Sequence, residues 1–108
     1  MLRRGEIYWL EPPPADPRRF RAFVVVSRPA FLSVPYSTVI CAPIYSRFSG
    51  VASEIAVGVE SGLKWPSYVR CDELMSLPRA RLTRYLGALS PDSVDALDRA
   101  LAIALGLL

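Results

Sequence analysis

The chain contains no histidine. That absence excludes His-based acid–base chemistry, a Ser-His-Asp triad and most zinc sites. Lysine is nearly missing as well, and Lys64 alone leaves almost no room for Schiff-base chemistry. The two cysteines, Cys41 and Cys71, are too few for a disulfide scaffold. Both stand in apolar strand contexts, where cysteine behaves as a small hydrophobe, so both are expected in the core. The longest apolar run, Ala100 to Leu105, is far short of the roughly 18 residues of a membrane span. Met1-Leu2-Arg3-Arg4-Gly5-Glu6 carries charge with no apolar stretch behind it, so no signal peptide is expected. These absences lead to the expectation of one soluble, cytoplasmic domain spanning residues 1–108, with no membrane association.

What is present is apolar and basic. A hydrophobic fraction of 52% lets 108 residues bury a core rather than stay disordered. The positive charge rests on twelve arginines, a residue suited to bidentate phosphate contact. Residues 1–50 hold seven arginines against three acids, whereas residues 51–108 hold six bases against seven acids. A phosphate-bearing partner for the first half fits this imbalance, although many solvated surfaces share it.

Prolines and glycines divide the chain into short β-rich runs. Gly5 to Glu11 alternates around Ile7 and Trp9 and reads as a first strand. Pro12 to Pro17 must be irregular, because proline lacks an N–H and biases its predecessor away from helix. Phe20 to Ser27, with its Phe23-Val24-Val25-Val26 run, reads as a central strand. Pro29 to Pro35 reads as a loop and Ser37 to Tyr45 as another strand, with Pro43 demoting its end to an edge or bulge. Glu54 to Val59 and Tyr68 to Leu74 read as moderate strands. Pro78 to Arg84 reads as a short helical turn running into a strand at Tyr85 and Leu86. The last segment is an amphipathic helix, with Ser90 as N-cap, Pro91 at its first position and Gly106 as a stop. Val94, Leu97, Leu101, Ala104, Leu105 and Leu108 form its apolar stripe. The expected fold is mainly β with a C-terminal helix (α+β), a small antiparallel barrel closed by that helix.

Two groups of residues carry possible chemistry. Arg18, Arg19 and Arg21 precede the apolar Val24 to Val26 run. They form either a phosphate grip, with Arg21 held at the strand mouth and the other two steering, or a solvated loop. Tyr45, Ser46, Arg47 and Phe48 combine hydroxyls, a guanidinium and aromatic faces at a strand end. That mixture suits single-stranded nucleic acid, where aromatics stack bases and arginines follow the backbone. The alternative is a hairpin loop with Phe48 tucked under the barrel. Asp92, Asp95 and Asp98 read as the wet face of the last helix, with Asp95 pairing to Arg99, rather than as a metal site.

The order of these pieces is itself informative. Arg4-Gly5-Glu6-Ile7-Tyr8-Trp9, then Arg21 before Val24-Val25-Val26-Ser27, then Thr38-Val39-Ile40-Cys41-Ala42-Pro43-Ile44 resemble the MazF/PemK family of toxin endoribonucleases. Gly62-Leu63-Lys64, Asp72-Glu73-Leu74, Leu82 to Leu89 and the terminal helix fit as well, so the resemblance covers nearly the whole chain. It implies an SH3-like small antiparallel barrel of the CcdB/Kid/MazF type. It also implies a homodimer that cleaves single-stranded RNA at short sequence motifs without a metal or cofactor, and an antitoxin that occupies the RNA groove. The family's arginine maps onto Arg21, and its threonine or serine maps onto Tyr45 without gaps. Two departures stand out: Ala22 follows the arginine in place of proline, and Tyr45 with Ser46 beside it replaces the small hydroxyl.

The implied chemistry works without histidine. The RNA 2′-OH attacks the adjacent phosphorus, leaving a 2′,3′-cyclic phosphate and a 5′-OH end. Arg21 would stabilise charge growing on the phosphorane oxygens, but with a pKa above about 12 it is a poor general base. Tyr45 or Ser46 would donate to a non-bridging oxygen, with Arg18, Arg19, Arg47 and Phe48 binding RNA. Tyr45, Asp72, Glu73 or water could each serve as base. Two non-catalytic alternatives remain: a CcdB-like gyrase-binding toxin, or an RNA-binding relative that has lost cleavage. Against the first, Gly106-Leu107-Leu108 stands where a Trp-containing C-terminal signature is expected. In favour of the second are Tyr45 and Ala22.

Overall fold

The computed structural model describes residues 1–11 and 21–108, so the Pro12–Pro17 loop and Phe20 lie outside the described residues. The described residues form seven strands: β1 Glu6–Trp9, β2 Ala22–Val25, β3 Thr38–Tyr45, β4 Glu54–Val57, β5 Ser67–Arg70, β6 Met75–Pro78 and β7 Arg84–Ala88. Helix α1 spans Pro29–Leu32 and helix α2 spans Pro91–Ala104. The strands form one antiparallel sheet in the order β4-β5-β3-β2-β1-β7, with β6 also on β3. The sheet curls into a half-barrel with one long helix at its C-terminal end, as the sequence leads one to expect.

Both faces of the sheet are buried against separate clusters. On one face Ile7, Val24, Ile44 and Val69 pack under α2, with Leu97 fully buried. On the other, Tyr8, Val25, Val39 and Cys41 pack with Leu32 and Leu77. Residues of a strand alternate between faces. A strand with a core on each side is therefore apolar at every position, which accounts for the Phe23 to Val26 run. Cys41 and Cys71 are both buried and free. Burial pushes their thiols up to about 12 and about 11, with the Asp72 charge adding to the effect at Cys71.

β3 is the longest strand and changes neighbours along one edge. Thr38 to Cys41 pair with β6, and Ile44 and Tyr45 pair with β5. Pro43 lies in the gap between those partners while the other edge pairs continuously with β2 from Ala22↔Ile44 to Val25↔Cys41. Ile40 bonds toward the β2 side, and alternation therefore turns the nitrogen of Pro43 away from it. Pro43 does not make an edge or end a strand, contrary to expectation. Its missing N–H falls where no ladder partner is required.

Other differences have equally local causes. The Tyr68 to Leu74 segment is not one strand: a 3₁₀ turn at Cys71–Glu73 separates β5 from β6. The Pro29 to Pro35 loop contains α1, started by proline at its first position. In α2, Ser90 caps the N-terminus by accepting from the Ser93 N–H. The C-terminus closes with Gly106 N–H on Ile103 O and Leu107 N–H on Ala102 O, with Gly106 at φ +74°. That left-handed turn takes Leu108 off the apolar stripe, Leu105 at the helix end is exposed as well, and Ala100 is buried instead. The expected Asp95–Arg99 pair is absent from the ion pairs of the described residues. The paired helix carboxylate is Asp98, 2.7 Å from Arg4 Nη1. Arg4 Nε also donates to Val26 O, so this side chain ties α2 to the sheet.

The barrel seam depends on two glycines. The 3₁₀ turn Val59–Ser61, which follows β4, lies backbone to backbone against β7. A Cβ on Gly62 would fall 2.1 Å from Leu86 O, and one on Gly87 would fall 2.1 Å from Ser61 O. Gly87→Ala is therefore expected to force the seam apart and cost about 1–3 kcal/mol, the usual range for overpacking. The measurement is the urea midpoint at constant m-value, and an unchanged midpoint would refute this account of the seam.

Candidate active site

A shallow pocket of about 160 Å³ opens at one end of the second sheet face, lined by Arg21, Phe23, Pro43, Tyr45, Glu73 and Met75 among others. The strand register explains this grouping. Paired residues of β2 and β3 sum to 66, from Val25↔Cys41 to Ala22↔Ile44. One further step sets Arg21 opposite Tyr45. On its other side, the Arg21 carbonyl accepts from Leu10 N–H at 2.9 Å, which fixes its backbone against the chain leaving β1. Arg21 Nε is buried, so the inner edge of its guanidinium lies against the protein.

Tyr45 is enclosed by charge. Its hydroxyl donates to Glu73 Oε1 at 2.6 Å. The Arg70 guanidinium lies over its ring, 3.9 Å from the centroid, in cation–π contact. Burial raises the Tyr45 pKa above its ordinary value, and the hydrogen bond and charge of Glu73 raise it further. The charges of Arg70 and Arg21 act in the opposite direction. The phenol is thus held protonated between one carboxylate and two guanidiniums.

Arg70 organises the remainder of the site. Its Nε is 3.4 Å from Glu54 Oε2 and its Nη1 3.5 Å from Glu73 Oε2, while Nη2 donates to the carbonyl of Arg47 at 3.0 Å. The Glu54 side chain is only 1% exposed. It accepts from Ser49 N–H, the Ser49 hydroxyl and Gly50 N–H. Burial alone would raise the Glu54 pKa, but these bonds and Arg70 outweigh it and the net shift is downward. Glu54 and Arg70 therefore anchor both halves of the loop between β3 and β4.

That loop carries three of the residues singled out from sequence. Ser46 and Arg47 are exposed and neither lines the pocket. Phe48 is 66% exposed and leans on Tyr68, with ring centroids 5.3 Å apart, rather than tucking under the barrel. Arg21 and Tyr45 are brought together, Arg47 and Phe48 flank them, and Arg18 and Arg19 lie outside the described residues. Asp72 turns to the hydroxyl of Ser53. Sequence reasoning missed Arg70 and Glu54. Their opposite charges stand at the ends of two adjacent strands, but only the Glu54↔Arg70 register reveals them as neighbours. Among the described residues no group of three or more Cys, Asp or Glu side chains could hold a metal ion, and no helix is long and apolar enough to cross a membrane.

Comparison with known proteins gives a consistent picture. The family described as "PemK-like, MazF-like toxin of type II toxin-antitoxin system" matches residues 3–105. Endoribonuclease MazF3 of Mycobacterium tuberculosis is 35% identical over 71 residues, 66% of this chain and 69% of that protein. Among solved structures, the Mycobacterium tuberculosis toxin MazF-mt6 superposes with a TM-score of 0.81 at 27% identity, covering 95% of this chain and 98% of that one. An endoribonuclease from a mycobacterial species, solved with its cognate antitoxin, superposes with a TM-score of 0.85 at 24% identity. It covers 100% and 98% of the two chains and speaks to the fold alone.

The Glu54 anchor has a pH consequence. A carboxyl whose pKa is lowered by folding stabilises the protein above its ordinary value of 4.5, and this contribution disappears as pH falls through the lower folded-state value. Glu54→Gln is expected to cost about 1.5–3 kcal/mol at neutral pH, the worth of hydrogen bonds to a charged group. The deficit relative to the parent should close in acid. Urea midpoints measured against pH test this, and a deficit that persists unchanged in acid would contradict it.

Proposed function

The chain belongs to the PemK/MazF-like toxins of type II toxin-antitoxin systems, and on that premise we propose that it is an endoribonuclease cutting single-stranded RNA without a metal ion. The observation that carries this reading is the placement of Arg21 opposite Tyr45 at one open pocket, with the Arg21 charge acting on the Tyr45 hydroxyl. RNA brings its own nucleophile, so the protein needs only to hold the chain in line and stabilise the phosphorane. The Arg21 guanidinium does the latter by contacting two non-bridging oxygens. The 2′-OH forms the new bond to phosphorus, the bond to the 5′-oxygen breaks, and the products end in a 2′,3′-cyclic phosphate and a 5′-OH.

The surroundings suit a single strand. Phe48 and Tyr68, tilted 54° to each other, offer aromatic faces for bases, and Arg47 adds charge for the backbone. Arg18 and Arg19 extend the basic track ahead of Arg21 in sequence. Ser46 stands beside Tyr45 but outside the pocket lining, which favours Tyr45 as the hydroxyl that meets the RNA. Family membership supports a cognate antitoxin as protein partner, a homodimer as the working form, and the cytoplasm, where mRNA is available, as the place of action.

The test is incubation with a long single-stranded RNA in excess EDTA, followed by mapping of the cut ends. Discrete cuts with 5′-OH and cyclic-phosphate ends are expected. Arg21→Ala should slow cleavage by roughly 10²–10³-fold, the cost of removing one oxyanion donor, with the fold intact by circular dichroism. Intact RNA, or undiminished cleavage by the variant, would overturn the reading or the assignment of Arg21 respectively. Sedimentation at micromolar protein should show a dimer, and a monomer alone would count against it.

A further inference from the structure

The hydrogen bond between Tyr45 and Glu73 bears on how the RNA nucleophile is activated. At 2.6 Å it lies in the range of O–H···O⁻ bonds to a charged acceptor. A carboxylate has no proton to give, so the phenol is the donor. The only proton on Tyr45 Oη is committed to Glu73 and is not available to a phosphate oxygen. What Oη presents to the pocket is a lone pair. The group on RNA that must lose a proton during the reaction, and so matches a lone pair, is the 2′-OH.

Tyr45 could not meet that need by ionising first. Burial and the neighbouring Glu73 charge disfavour a free phenolate at neutral pH. A phenol that passes its own proton on as it accepts another avoids the phenolate altogether. We propose that Tyr45 and Glu73 form a proton relay, in which Tyr45 Oη takes the 2′-OH proton while its own proton moves to Glu73 Oε1. This rests on the ribonuclease reading and names the general base that reading leaves open. The 2′-oxygen then bonds to phosphorus and the 5′-oxygen leaves with the electrons of its bond, taking a proton from water. Glu73 returns its proton to water afterwards, so protons balance over the cycle.

The charges around the pair suit this role. Arg21, just before β2, and Arg70 from β5 both stabilise negative charge passing through the phenol oxygen. Arg70 also contacts Glu73 Oε2 and keeps the carboxylate turned so that Oε1 faces Tyr45. Glu54 on β4 holds Arg70 from the far side. Asp72, the other acid on the same 3₁₀ turn, is bonded to Ser53 and does not line the pocket. Tyr45 touches the substrate and is the catalytic residue, whereas Glu73 acts through it.

The test is single-turnover cleavage against pH for the parent, Glu73→Gln, Tyr45→Phe and the double variant. Each protein's affinity for an RNA carrying a 2′-deoxy sugar at the mapped cut is measured alongside. Each single variant is expected to be slower by roughly 10²–10⁴-fold, the usual worth of general acid–base help, at unchanged affinity for the deoxy analogue. The double variant should be no worse than the slower single, because the two residues act as a unit. The fall in rate on the acid side should vanish in Glu73→Gln, which a merely structural role would not produce. Parental rates in either single variant, or an acid limb retained in Glu73→Gln, would overturn the relay. If the parent cuts RNA and Arg21→Ala does not, such a result leaves the ribonuclease reading standing. A parent that cuts no RNA overturns both.

Discussion

The structure depends on the pairing of β3. This eight-residue strand holds β2 along one edge and divides its other edge between β6 and β5. A strand that changes partners halfway lets the sheet curl without losing backbone hydrogen bonds, since each half keeps a neighbour. The change occurs at Pro43, the residue with no N–H to offer. Both cores follow from this arrangement, because the faces of β3 alternate between the cluster under α2 and the cluster around Leu32 and Leu77. The pocket follows as well, because the β2–β3 register places Arg21 beside Tyr45 where the ladder ends.

Around that pocket the electrostatics are held by one guanidinium. Arg70 reaches Glu54, Glu73, the carbonyl of Arg47 and the ring of Tyr45 together, by ion pairs, a hydrogen bond and a cation–π contact. Planar geometry and a permanent charge make arginine suited to this, and a lysine could not satisfy the same set. Glu54, nearly fully buried, remains ionised because the amides and hydroxyl of the loop it anchors bond to the charged form. Loop order and site charge are thus one network. Phe48 and Arg47 are presented to solvent from a loop fixed at its base.

The resemblance noted from sequence and the comparisons with known proteins agree on the family, and the half-barrel with its terminal helix is the architecture that family implies. The strand positions were legible where apolar runs are bounded by proline or glycine, as in β2 and β3. They were not legible around residues 71–78. There a 3₁₀ turn and a short strand share one β-rich stretch, and no proline or glycine marks the break at Cys71–Glu73. The apolar stripe of α2 was read correctly until Ala104. Its continuation through Leu105 and Leu108 was not: Leu105 is exposed at the helix end, and the Schellman closure at Gly106 redirects the chain before Leu108.

For the site, local sequence was sufficient to exclude histidine chemistry and to offer Arg21 among three arginines and Tyr45 at a strand end, each beside an ordinary structural alternative; the family resemblance singled the two out. Local sequence also marked Arg47 and Phe48 as a charged and aromatic pair at a strand end. Those properties follow from residue type and local pattern, which the chain carries wherever it folds. The sequence alone could not show that Tyr45 gives its proton to Glu73, that Arg70 covers its ring, or that Glu54 anchors the loop. Nor could it reveal that Gly62 and Gly87 meet across the barrel seam. Each of these depends on strand register and on the curl of the sheet. Register is set by many weak contacts acting together over residues distant in the chain, so only the tertiary structure decided it.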